Sequence, residues 1–181
     1  VDVVEWVREQ GGIVHRDDVL DRQVGARRLR ELVAFGSLRR IRRYWLAVDT
    51  APPALVSAAQ WSGRVACVSA ARHRGWWVHP DADRRLHLHL TPNAQRPTGC
   101  EPTVLHWTLA LTPVHRRRLV ESIEDSLQHI ADCLPREQAL VLWEDAARVE
   151  RIAPGRRPHR RAARGAARRI RPPLLLRPAH S

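Results

Sequence analysis

Lysine is absent from this 181-residue sequence, methionine is absent too, and phenylalanine and tyrosine occur once each. All 31 basic residues are therefore arginine. Alanine, proline and tryptophan are abundant beside them, a bias typical of a very GC-rich coding sequence. Arginine content alone is thus weak ground for a nucleic-acid partner. The missing lysine does exclude one chemistry outright, because an Asp…Glu-x-Lys nuclease triad cannot be assembled. Cys67, Cys100 and Cys133 are odd in number and far apart, with no CxxC pair and no disulfide framework. A reduced, cytoplasmic compartment is the simplest expectation. No run approaches the ~20 apolar residues that span a bilayer, so no membrane partner is expected. The opening VDVVEWVREQ is amphipathic and carries acids, unlike a signal peptide, and Val1 fits a non-AUG start codon read literally. The sequence has no Ser-His-Asp order, no phosphate-binding Gly-rich loop and no nucleotide fingerprint. No catalytic residue, no cofactor and no enzymatic activity are expected.

What is present is organised around Gly25–Ala47, GARRLRELVAFGSLRRIRRYWLA. Leu29, Leu32 and Val33 form a helical stripe, and Arg27, Arg30, Glu31 and Ala34 fall on the opposite face. Gly36 is placed to end the helix in a left-handed conformation. Arg39, Arg40, Ile41, Arg42 and Arg43 then read as a basic β-hairpin. Upstream, Val3, Val4 and Val7 predict a first helix to about Gln10, halted by Gly11-Gly12. Ile13-Val14 is a short extended piece. A second helix is expected from about Arg16 to Arg22, with Asp17 and Asp18 favoured at its positive end. Two short helices joined by a tight turn and followed by a hairpin make a winged helix-turn-helix.

On Gly11-Gly12, the Val19-Leu20 pair, Leu29, Leu32, Gly36, Leu38 and Arg42-Arg43, this stretch resembles the N-terminal winged helix of AbiEi-family type IV antitoxins. The same domain opens many actinobacterial proteins that end in a nuclease-like domain of the very-short-patch-repair type. Three positions depart from the pattern: Gly25 replaces the usual Ser or Thr helix cap, Gln23 a glycine, and Tyr44 the glycine of the wing tip. The resemblance implies a transcriptional regulator that binds double-stranded DNA at an operator and represses its own operon. It also implies opposition to a cognate nucleotidyltransferase toxin without required direct contact. In that reading Arg27 and Arg30 contact guanines, Glu31 accepts from cytosine N4, and Arg28, Arg39, Arg40, Arg42 and Arg43 hold phosphates. The alternative is the regulatory half of a very-short-patch-repair-like DNA endonuclease that has lost its catalytic domain. A third reading is a protein–protein module. Winged helices often act as homodimers, but no heptad or exposed apolar stripe marks a dimer face.

Thr50-Ala51-Pro52-Pro53 is a natural boundary. The expected organisation is α+β: a winged helix-turn-helix over 1–50, a small mixed domain over 51–152, and a tail over 153–181. In the second domain Ala54–Trp61 reads as a helix with Leu55, Ala58 and Ala59 on one face, and Val65–Trp76 as another. Trp76-Trp77 cannot both point inward on a strand, so one is expected to cap the domain interface. Arg84–Thr91 alternates as a half-buried strand, with Leu86, Leu88 and Leu90 inward and His87 and His89 on a solvated face. Thr103–Trp107 is a second strand pairing with it, and Asn93–Cys100 a loop between them. A helix from Leu119 carries Ile123, Leu127, Ile130 and Ala131 as its stripe. The last helix, about Arg136–Arg151, carries Ala139, Leu140, Trp143, Ala146 and Ala147. The resemblance continues through TVLHW and these closing helices and stops at Ile152.

From Pro154 onward there are nine arginines and no acid, which leaves +3 of the net +12 for residues 1–153. Without hydrophobic period, such a tail is expected to be disordered. It is either a charge clamp for nucleic acid or the out-of-frame translation of a GC-rich gene, and the second is favoured. The paired His87-x-His89, with His73, His79 and His106 nearby, has metal-ligand character. No Cys or carboxylate has matching spacing, so these are expected to be solvated strand residues and no metal is expected. Asp81 and Asp83 are loop acids that could meet Mg²⁺ but lack the rest of a site.

Overall fold

A computed structural model describes residues 2–95 and 103–151. The expectations for the tail, and most of the Asn93–Cys100 loop with Cys100, lie outside the described residues. The chain begins with α1 (Val3–Glu9), β1 (Ile13–His15), α2 (Arg16–Leu20), α3 (Ala26–Ala34), β2 (Arg39–Ile41) and β3 (Trp45–Ala47). Asp2 caps α1 by accepting from the Val4 amide at 2.9 Å. The three strands form an antiparallel sheet in the order β1-β3-β2, with Ile13 opposite Ala47 and Ile41 opposite Trp45. This is the winged helix that the periodicity predicts. Its core gathers Trp6, Val7, Val19, Leu29, Leu32, Leu38 and Leu46. Gly12 lets the chain turn back: its φ is +85°, and a Cβ there would meet Ala51 Cα at 2.9 Å.

The turn between α2 and α3 is the one that glycine normally makes. Gln23 adopts it nonetheless, with φ +64°. A left-handed conformation costs an ordinary residue about 1–2 kcal/mol, partly offset by the greater freedom a glycine loses on folding. Gln23→Gly is therefore expected to stabilise the chain by about 0.5–1 kcal/mol, read as a higher melting temperature. At the wing, residues 42–44 make the turn and Arg42, at φ +49°, takes the left-handed position in place of the missing glycine.

The second part comprises α4 (Pro53–Gln60), β4 (Arg64–Val65), α5 (Cys67–His73), β5 (Leu86–Leu90), β6 (Thr103–Trp107), α6 (Ile123–Cys133) and α7 (Arg136–Val149). Its sheet runs β4-β5-β6, β4 antiparallel and β6 parallel to β5. Several expectations are corrected. Val65 belongs to a strand, because its amide donates to Leu119 O (2.7 Å), its carbonyl accepts from Glu121 N (3.1 Å) and it pairs with Leu88. Those long-range bonds override the local helical pattern. The same bonds hold residues 119–121 extended, so α6 starts only after Ser122, whose Oγ accepts from Asp125 N at 2.9 Å. On α7, Leu142 is buried with Ala139 and Ala146, whereas Leu140 and Trp143 face outward and, with Val141, make an exposed apolar stripe. On α6, Ala131 is exposed and Asp125, Ser126 and His129 are buried. Neither Trp76 nor Trp77 lies on a strand: Trp76 is buried, its indole donating to Glu150 Oε1 at 3.0 Å, and Trp77 is exposed.

The two parts share packing. Ile13, Ile41 and Ala47 join Ala51, Leu55, Ala58 and Ala59 in one apolar cluster across the residue 50 boundary. Arg117 reaches back to α2, 2.8 Å from Asp18 Oδ1, 2.5 Å from Asp21 Oδ2 and 3.7 Å from Asp17 Oδ2. Arg116 adds a contact to Asp17 at 3.3 Å.

Candidate nucleic-acid interface and a buried histidine centre

Helix α3 buries Leu29 and Leu32 and turns Arg27, Arg28 and Arg30 to solvent. Gly25 supplies no side-chain cap to it, so the first-turn amides remain open to an anion. Arg27 Nε lies 3.0 Å from Glu31 Oε1 and Arg28 Nη1 3.7 Å from Oε2. The side chains of Arg30 and Arg39 have no hydrogen bond or ion pair among the described residues. A groove of about 350 Å³ runs between α3 and the wing, lined by Arg16, Arg30, Val33, Arg40 and Leu46 among others. Arg40 donates to Arg43 O at 3.3 Å, and Arg43 lies over the Tyr44 ring. Arg42 is the exception among the wing arginines. Its Nη1 donates to Gln60 O and Ser62 Oγ, both at 3.0 Å, tying the wing to the end of α4.

His15 joins wing and helix. Its buried Nδ1 accepts from the Asp17 amide at 3.2 Å, capping α2, and its ring stacks on Tyr44. Burial lowers its pKa below 6.5, with Arg117 and Arg116 acting the same way against Asp17 and Asp18. The unfolded chain then takes up the proton first, so stability is lost as pH falls from 6.5 toward the lowered value. A protonated Nδ1 also cannot accept. The melting temperature is expected to drop on acidification from pH 7.5 to 5, and to drop less in His15→Asn, which keeps an acceptor but does not titrate.

The histidines of β5 do not face solvent. His87 and His89 are 2% and 5% exposed, because α5 and α6 cover that face, and with the leucine face buried as well the strand is covered on both sides. The second centre draws on four separate segments. His87 and His89 come from β5, and His106 from β6 with Thr108 just beyond it. Glu121 precedes α6, and His129 and Cys133 lie along it. Cys67 opens α5. None of Cys67, Glu121, His129 and Cys133 is singled out by sequence spacing. The usable signal is the run Ser122, Asp125, Ser126, His129, Cys133, a second, polar stripe on α6.

Glu121, 1% exposed, organises half of this centre. Oε1 accepts from the Cys67 amide at 2.8 Å, and Oε2 from His129 Nδ1 at 2.9 Å. His89 Nδ1 lies 3.2 Å from the same Oε2. His89 Nε2 faces Thr108 O at 3.0 Å and Oγ1 at 3.1 Å, and Thr108 Oγ1 faces His129 Nε2 at 3.0 Å. A carbonyl only accepts, so the contact with Thr108 O puts a proton on His89 Nε2, and the Glu121 carboxylate 3.2 Å from Nδ1 favours the protonated ring. The Thr108 hydroxyl then donates to His129. Burial alone would push Glu121 up, but the bonds from His129, His89 and the Cys67 amide outweigh it and hold its pKa at about 2. Burial likewise opposes the charge on His89, and Glu121 and Thr108 O raise its pKa regardless.

In the other half, His87 Nδ1 lies 3.2 Å from His106 Nε2, beside Cys67 and Cys133. Burial, with His129 and His87 nearby, lowers His106 to about 4. Burial raises both thiols. Asp83 is held by Arg85 through bonds of 2.6–3.1 Å rather than left as a free loop acid, and Asp81 stays exposed. His73 and His79 stand apart from this centre. No helix of the described residues is long and apolar enough to cross a membrane. No family model matches the chain, and no curated protein matches it.

Proposed function

We propose that the chain is a DNA-binding transcriptional regulator of the type IV antitoxin kind, without enzymatic activity, that represses its own operon through the winged helix. The observation that carries this reading is the unpartnered Arg30 side chain on the outer face of α3, which shares a groove with Arg16 and the wing residue Arg40, with Arg27 and Arg39 also exposed. An α-helix with its side chains is about 10–12 Å across, matched to a major groove about 12 Å wide. Arg30 and Arg27 read guanines. Glu31, held by Arg27 and Arg28 in the free protein, exchanges those partners for a cytosine amine. Arg28, Arg39, Arg40 and Arg43 grip phosphates, and Arg42 fixes the wing as well as contributing charge. A homodimer on a two-fold operator, a cytoplasmic location and a cognate nucleotidyltransferase toxin that need not be touched belong to the same reading.

The test is binding of the full chain, and of a chain ending at Arg151, to its own upstream DNA and to a scrambled duplex across a salt series. Both forms are expected to prefer the upstream duplex at every salt concentration. Equal and steeply salt-dependent binding to the two duplexes would reduce the interaction to arginine charge and overturn the reading.

A further inference from the structure

One nitrogen or sulfur atom from each of Cys67, His87, His106 and Cys133 lies within 4.8 Å of every other. We propose that these four side chains bind a single tetrahedral zinc ion, a site independent of the DNA-binding face. Two thiolates and two imidazoles are a zinc donor set, and Zn–N and Zn–S bonds of about 2.0 and 2.3 Å place tetrahedral ligand atoms about 3.3–3.8 Å apart. The 3.2 Å between His87 Nδ1 and His106 Nε2 already matches the nitrogen–nitrogen edge.

The protons point the same way. His87 Nε2 is buried without a hydrogen-bond partner, 3.6 Å from Asp83 Oδ2. Facing a carboxylate, Nε2 keeps its proton, and the bare Nδ1 lone pair then points toward His106 and the two sulfurs. A ligand histidine backed by a carboxylate has this arrangement, and Arg85 fixes that carboxylate in turn. Cys67 stands in a left-handed conformation, φ +50°, held by the hydrogen bond that its backbone N–H donates to Glu121 Oε1. The neighbouring His89–Glu121–His129 set differs in its donors: it offers no thiolate, both Glu121 oxygens already accept, from the Cys67 amide and from His129 Nδ1, and His89 Nε2 is taken by Thr108 O, which leaves His89 Nδ1 as its one buried side-chain nitrogen without a hydrogen-bond partner. The ion would join the start of α5, β5, β6 and the end of α6, with Cys133 at the exposed rim as the entry point.

The full chain, reduced and stripped, is titrated with cobalt(II), and a separate preparation grown with zinc is assayed for metal after exhaustive dialysis. About one zinc per chain is expected, and cobalt should give tetrahedral visible bands with thiolate-to-cobalt charge transfer. Asp83→Ala should keep that band with 10–100-fold weaker binding. The Cys67→Ser/Cys133→Ser double variant should lose the band and at least nine-tenths of the zinc. Cobalt bound by the wild type without charge transfer would put the ion on the histidine–glutamate set and overturn the proposal. So would a wild type that melts cooperatively yet binds neither ion, a band that survives in the double variant, or a Cys67–Cys133 disulfide in a non-reducing peptide map of fresh protein. The wild-type cobalt spectrum stands even where the double variant fails to fold.

Discussion

Glu121→Ala is expected to remove about 3–5 kcal/mol of stability, the usual cost of leaving a buried charged network without one partner. Two donors lose their acceptor at once, the Cys67 amide and His129 Nδ1, and His89 loses the carboxylate 3.2 Å from its Nδ1. Against a typical total of about 5–15 kcal/mol, such a loss leaves the chain marginal. Urea unfolding followed by tryptophan fluorescence should show the midpoint lowered by about 2 M, for a slope of about 1–3 kcal/mol per molar. Glu121→Gln keeps an oxygen for the Cys67 amide and should cost less. The pH dependence identifies the charge. Glu121 titrates at about 2 in the folded chain against 4.5 in the unfolded one, so its contribution is full above 4.5 and lost as pH falls toward 2. His89 is shifted upward, so its contribution is full below 6.5 and lost as pH rises through the folded value. The gap between wild type and Glu121→Gln, measured in chelator, is therefore expected to be widest between about pH 4.5 and 6.5. A gap that does not change with pH would mean the carboxylate acts by shape alone.

The second large effect is expected at the DNA face. Arg30→Ala should reduce the preference for the operator over a scrambled duplex by about 5- to 150-fold, the equivalent of ~1–3 kcal/mol for a bidentate arginine–guanine pair. Adding Arg27→Ala should abolish the preference. Neither change should move the melting temperature much, since Arg30 is exposed and Arg27 holds only an exposed pair with Glu31. Arg39→Ala or Arg40→Ala should instead weaken binding to both duplexes alike and lower the salt slope by about 0.9 each. A double variant that still prefers the operator would move base recognition off α3. Wild-type binding that is equal on the two duplexes and unchanged in the double variant would argue for a protein partner in place of DNA.

The winged helix was legible because its information is local. Leu29 and Leu32 recur at helical spacing within one element, Gly36 ends it with φ +75° as read, and the arginine hairpin follows directly. Of the positions where the sequence departs from the pattern it resembles, Gln23 takes up a backbone conformation for which glycine is usual, whereas at the wing that conformation falls on Arg42 and not on Tyr44. The histidine centre was not legible, for the opposite reason. Its members come from residues 67, 87–89, 106–108 and 121–133, and only packing brings them together. The alternation of LHLHL correctly gives a strand. It assigns the histidines to water, because nothing in a period of two says that helices cover the second face. The late start of α6 has the same origin, since Leu119 and Glu121 are committed to Val65, more than fifty residues away.

The clamp of Arg116 and Arg117 on α2 has a consequence for synthesis. These contacts join residues up to 100 apart. At about 5–20 residues per second, the arginines follow their acids from the ribosome by about 5–20 s. During that interval Asp17, Asp18 and Asp21 stand uncompensated one helix away from the arginines of α3. Docking of Arg116 and Arg117 therefore completes the charge balance of α2 late, and the first half of the chain reaches its folded electrostatics only once the second half has been made.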